Sequence, residues 1–283
     1  MNRSATHVKR AFLVSGIGLG ILLAVTSFFL FWQTSEATID PSVRYRVLRG
    51  VFALDSIPGG ETPAAIDQIR HQELWNYVQD LAPAIIEDQI AYFEIGTDGY
   101  SAELAHVVQS GIGKEYWILL MDEEDAAGPK GGFQSVTVDE TIVHELSHIL
   151  FGSEAQIQLD ETLYRSETYE QWDDQYLALL NDCEGSYMTT EGCSKKDSYI
   201  NQFYLAFWAE LDVYPSYDDY DYLDYVTWYA VTSVDEDIAE TFMTFVLEDR
   251  PKADFDIRDQ KVEFMWSYPE LVEIRDEMRA GLR

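Results

Sequence analysis

The chain has 283 residues, 47% hydrophobic and 14% aromatic, enough for a sizeable buried core and too apolar for general disorder. Its 19 Lys and Arg stand against 51 Asp and Glu, a formal charge of −32. That balance excludes a nucleic-acid binder, which must neutralise phosphates, and disfavours anionic membrane surfaces as partners. Two cysteines exclude a multi-disulfide scaffold and a multi-cysteine zinc site.

Residues 1–10 carry Arg3, Lys9 and Arg10 and read as a short cytoplasmic tail. Residues 11–32, Ala11 to Trp32, are 22 in number and uncharged, long enough as a helix to cross a bilayer core of about 30 Å. This predicts a single-pass cell-membrane anchor with everything beyond it extracytoplasmic. The alternative is a signal peptide cleaved near Ala37, after the small-x-small run Ser35-Glu36-Ala37, which would secrete the same domain. Residues 33–60, punctuated by Pro41, Pro58, Gly59 and Gly60, read as a stalk, leaving 61–283 as the folded domain.

Within that domain, Pro63 and the apolar rhythm Ile66, Ile69, Leu74, Tyr77, Val78, Leu81 predict a helix over 62–82. Strands are expected at Ile90–Ile95 and Tyr116–Met121, with a helix around Ala102–Gln109 between them. The Tyr116–Met121 strand is the expected edge for pairing with an extended peptide. Gly128 to Gly132 reads as a loop, and the pattern beyond residue 137 is mainly helical. The class is therefore α+β, a small mixed sheet followed by a helical C-terminal part. Cys183 and Cys193 bracket a polar stretch with two glycines and predict a disulfide in an oxidising compartment. Residues 197–249 hold 13 acids, eight tyrosines and no Lys or Arg, which reads as a solvated acidic face. Calcium at Asp218, Asp219, Asp221 and Asp224 is the alternative there, without an EF-hand loop to support it.

The chemistry is concentrated in two segments. His144-Glu-Leu-Ser-His148 lies in an apolar helical stretch, with Thr137 and Glu140 spaced as a capping box and Gly152 placed to end the helix. His144 and His148, four apart, project from one face and suit two nitrogen ligands on one Zn²⁺. Glu145 would face the water such a metal activates and act as general base and acid. The second segment runs from Tyr229 to Phe242. It offers Glu236 and Glu240, also four apart, one as third ligand and the other as hydrogen-bond partner of a ligand histidine; the spacing leaves both assignments open. His7, His71 and His106 fall outside these segments and are left out of the site.

The two segments together, HELSH and YAVTSVDEDIAETF, resemble the catalytic centre of anthrax lethal-factor-like zinc peptidases, a gluzincin group that includes the bacterial Pro-Pro endopeptidases. In that group a tyrosine lies seven residues before the zinc-ligating glutamate and a further glutamate lies four after it. Tyr229, Glu236 and Glu240 repeat that spacing. The resemblance implies a zincin-like fold, Glu236 as third ligand, Tyr229 as transition-state hydrogen-bond donor and Glu240 as partner of a histidine. The sequence departs from the group in its long stretch between His148 and Glu236, which carries the cysteine pair and the Tyr/Asp-rich tract.

The resulting expectation is a membrane-anchored extracytoplasmic zinc endopeptidase, one Zn²⁺ per chain, acting on a protein or peptide. Two other readings compete with it. One is a noncatalytic acidic surface module for a cationic partner, and the other a zinc hydrolase of non-peptide amides.

Overall fold

The computed structural model describes residues 39–57, 67–99, 103–109, 117–127, 136–164, 169–180, 182–183, 185–211, 213–252 and 256–282. The expected membrane span at 11–32, the cleavage site near Ala37 and the loop at Gly128–Gly132 lie outside them. Among the described residues no helix is long and apolar enough to cross a membrane.

Five strands, β1 (Asp40–Arg46), β2 (Ala53–Ser56), β3 (Ile90–Thr97), β4 (Ala105–Gln109) and β5 (Trp117–Asp122), form a mixed sheet in the order β2-β1-β3-β5-β4. β3 and β5 are parallel and the remaining pairs antiparallel. Helices α1 (Gln68–Leu81), α2 (Ala84–Glu87) and α3 (Glu123–Ala126) connect or follow the strands. Then come α4 (Val136–Phe151), α5 (Glu161–Tyr164) and α6 (Tyr169–Leu180), with β6 (Ile157–Leu159) and β7 (Gly192–Ser194) pairing as a small second sheet. Helices α7 (Tyr199–Phe207), α8 (Val234–Leu247), α9 (Ile257–Trp266) and α10 (Pro269–Gly281) complete the helical C-terminal part. The chain is α+β, sheet first and helices second.

The pleat sorts the core. Strand residues alternate between faces, and register aligns Val43, Ile95, Met121 and Ala105 in one row and Tyr45, Phe93, Leu119 and Val107 in the next. Both rows pack into the main core with Ile142, Leu146 and Ile149 of α4 and Ile238, Phe242 and Phe245 of α8. α4 packs against both β4 and α8, so the histidine-bearing helix lies between the sheet and the helical part.

Four expectations change. Residues 39–56 are not a stalk, because Val43, Tyr45 and Val47 alternate with polar residues and bury one face against the core, making β1 a full member of the sheet. Pro41 is accommodated near the strand start, beside a register shift, where a missing N–H is tolerated. The helix expected around Ala102–Gln109 is instead β4: Val107 and Val108 favour the pleat, and β5 supplies the antiparallel ladder. β5 therefore has a neighbour on each side and offers no edge to a peptide; β4 and β2 are the outer strands among the described residues. Finally, of the helix expected over 62–82, residues 62–66 lie outside the described residues, and α1 starts at Gln68, where Asp67 caps it by accepting from Arg70 N.

Gly152 follows α4 without a left-handed φ. Its requirement is space: a Cβ there would lie 2.7 Å from the His148 carbonyl oxygen and 3.0 Å from the Trp117 indole.

The C-terminal end of α8 is closed by side chains from α10. Arg275 Nε donates to Phe245 O at 2.6 Å, and Arg279 donates to Val246 O at 2.9 Å, which satisfies carbonyls that have no partner within the helix. Arg275 also stacks over the Trp266 ring at 4.6 Å. Arg275→Ala is expected to destabilise the fold by about 2 kcal/mol, the scale of a charged hydrogen bond left unmade. Urea denaturation measures this, and an unchanged midpoint would contradict the clamp.

Candidate metal centre

Two helices build the site. α4 begins at Val136, so Thr137 lies inside its first turn instead of capping it. Ile142, Val143, Leu146 and Ile149 bury the helix, and His144 and His148 face Glu236 of α8. α8 begins at Val234 and is capped by Ser233, whose Oγ accepts from Glu236 N. Ser233-Val-Asp-Glu236 has capping-box spacing, yet the Glu236 carboxylate turns to the histidines across the interface.

His144 Nε2 and His148 Nε2 lie 3.0 Å apart. Glu236 Oε2 lies 3.2 Å from the first and 3.4 Å from the second. On the opposite side of its ring, His144 Nδ1 lies 2.7 Å from Glu240 Oε1. The two glutamates are thus distributed over the two nitrogens of one imidazole, Glu236 on the side shared with His148 and Glu240 behind it.

This donor set fits a cation. The Glu240 carboxylate beside Nδ1 favours the tautomer with its proton on that nitrogen, which leaves Nε2 presenting a lone pair to a second carboxylate and to another imidazole. Glu236 Oε2 is buried without a hydrogen-bond partner. A tetrahedral zinc with nitrogen ligands at about 2.0–2.1 Å has ligand-to-ligand edges of about 3.3 Å, close to the three separations above.

The same closeness governs ionisation. Burial opposes a charge on Glu236, but His148 and His144 beside it hold its carboxyl well below the usual range. Burial also disfavours charge on both histidines; Glu236, together with Glu240 at His144, overcomes it and raises them. Glu145 is pushed up by burial, with the two histidines partly offsetting the shift. Tyr229 stands before the short turn Ala230–Thr232, its ring centroid 5.9 Å from that of His144. The Glu236 carboxylate, then burial, then Glu145 raise its phenol far above the ordinary value, so it remains a proton-carrying donor.

Cys183 and Cys193 are joined by a disulfide, Cα to Cα 5.4 Å, and Gly185 turns the enclosed loop at φ 83°. His71 is buried on α1 between Tyr45 and Glu123, and His106 lies on β4 beside Glu103. No three of Asp218, Asp219, Asp221 and Asp224 bring ligand atoms within 4.8 Å of one another; Asp219 accepts from Ser216 N and Oγ instead. Asp98, Asp122 and Asp125 do approach that closely, but Asp122 Oδ1 caps α3 and its Oδ2 accepts from Asp98 N.

Sequence reading missed what surrounds Glu236. Asp235 and Asp237 look like solvated acids at a helix start, yet Asp235 accepts from Tyr187, and Asp237 is fully buried against Trp208 and Lys261. The available signal was a lysine set among Val262, Phe264 and Met265 on α9, which requires a buried counter-charge. No protein-family model matches the chain, and comparison with curated proteins and with solved structures finds no match.

Proposed function

We propose that this chain is a zinc-dependent endopeptidase of zincin-like fold, anchored to the cell membrane by its N-terminal segment with its catalytic domain extracytoplasmic. The observation that carries the reading is the convergence of His144, His148 and Glu236 on one point, with Glu145 on the same helix and Glu240 behind His144. His144 Nε2, His148 Nε2 and Glu236 Oε2 would hold the ion. Bound there, zinc supplies Lewis acidity and lowers the pKa of a coordinated water.

The remaining roles belong to the chain. Glu145, held largely out of solvent by burial and raised above an ordinary carboxylate, takes the proton of the attacking water and returns it to the leaving amine. Glu240 fixes the orientation of His144 through Nδ1. The Tyr229 hydroxyl, kept protonated by its acidic neighbours, donates to the oxygen that gains charge as the carbonyl is attacked. An extended peptide would find its strand partner in β4, an outer strand among the described residues that packs over α4.

Incubating the zinc-loaded full-length protein with a peptide library tests the reading. Cleavage that stops on chelation and returns with zinc supports it. Bound zinc without cleavage of any peptide would turn the reading toward non-peptide amides. Absence of both zinc and cleavage would leave the acidic binding module. Tyr229→Phe is expected to keep zinc and lower kcat by about 10²–10³, because one oxyanion donor is lost. An unchanged kcat would remove Tyr229 from the mechanism.

A further inference from the structure

Three consecutive acids, Asp235-Glu236-Asp237, occupy the first turn of α8, and the histidines face only the middle one. Successive helical residues project about 100° apart, so a turn of α8 by one residue would present a neighbouring carboxylate to the histidines. Something must select Glu236.

The two flanking acids are both tied down. Tyr187 Oη donates to Asp235 Oδ2. Tyr187 lies inside the loop closed by Cys183 and Cys193, where its N–H donates to Asn201 Oδ1 and its carbonyl accepts from Ser194 N. On the other flank, Asp237 Oδ2 accepts from Trp208 Nε1 and from Lys261 Nζ, each at 2.7 Å. Asp237 is fully buried and Lys261 nearly so, its ammonium 3.7 Å from the Tyr225 ring centroid.

A helix start favours acids without any such partners. Burying an ion pair is a poor route to stability, because desolvation offsets the attraction; its best-attested use is fixing register. The ties come from three separate elements: the disulfide loop, the end of α7 and α9. All act on the turn that carries Glu236.

Resting on the zinc reading, we propose that Asp235 and Asp237 are positioning residues. Their ties to Tyr187 and to Trp208 and Lys261 hold α8 in the register that gives Glu236, and not a neighbouring carboxylate, to His144 and His148.

The test measures zinc dissociation constants by chelator competition, and apo melting temperatures, on detergent-solubilised full-length protein. Tyr187→Phe removes one hydroxyl. The double variant Lys261→Met with Asp237→Asn removes the charge pair without leaving a buried charge alone. Both are expected to weaken zinc binding about tenfold or more, the effect usual for groups that orient ligands. Arg275→Ala, which loosens the far end of α8, is expected to lower the melting temperature and leave zinc affinity unchanged. Zinc affinity unaltered in Tyr187→Phe and the double variant would overturn the proposal, as would equal weakening in Arg275→Ala. If the double variant fails to fold, Tyr187→Phe decides alone. Wild-type protein that binds no zinc would overturn the metal reading itself, and the proposal with it.

Discussion

Glu145→Gln is expected to lower kcat for peptide hydrolysis by about 10³ while leaving the zinc content of the protein intact. The magnitude is that of a general acid–base group, about 10²–10⁴. The separation of effects follows from geometry: Glu145 lies between the two histidines in sequence but outside the trio whose ligand atoms converge. The amide keeps the volume and removes a carboxylate that burial already disfavours, so the fold is not expected to weaken. Paired measurement of kcat and zinc per chain checks it. Loss of zinc would make Glu145 a ligand, and activity within tenfold of wild type would remove it as the base.

The second large effect separates the two glutamates of α8. Glu236→Ala leaves two imidazoles and is expected to abolish stoichiometric zinc binding at micromolar metal. Glu240→Ala removes only the partner of His144 Nδ1 and is expected to weaken binding or activity by about 10–100-fold. Chelator competition on both variants reads the difference. If Glu240→Ala strips the metal while Glu236→Ala retains it, the site is out of register by one helical turn. Tyr229, argued from its seven-residue spacing to Glu236, then loses its role.

The site was more legible in the sequence than the sheet was. The i, i+4 spacings of His144 with His148 and of Glu236 with Glu240 are local properties of a helix, so they survive whatever the tertiary arrangement does. What they left open was which glutamate faces which nitrogen, since that depends on how α8 lies against α4. The stretch around Ala102–Gln109 reads as a helix because so short a segment carries little periodicity; only the ladder to β5 makes Ala105–Gln109 a strand. β1 was hidden by Pro41 and by a short alternation, Val43, Tyr45, Val47, whose meaning comes from β3 alongside it. The ties at Asp235 and Asp237 join residues up to 48 positions apart, Tyr187 to Asp235 being the longest, and no local pattern encodes them.

Whether His144, His148 and Glu236 together hold one catalytic zinc is read from the metal content of chelator-stripped, zinc-reloaded full-length protein, with the His144→Ala, His148→Ala double variant prepared in parallel. About one zinc per chain in the wild type, as a three-ligand catalytic site requires, and close to none in the double variant is the expected result. Equal zinc in the two proteins, or none in either, would contradict it.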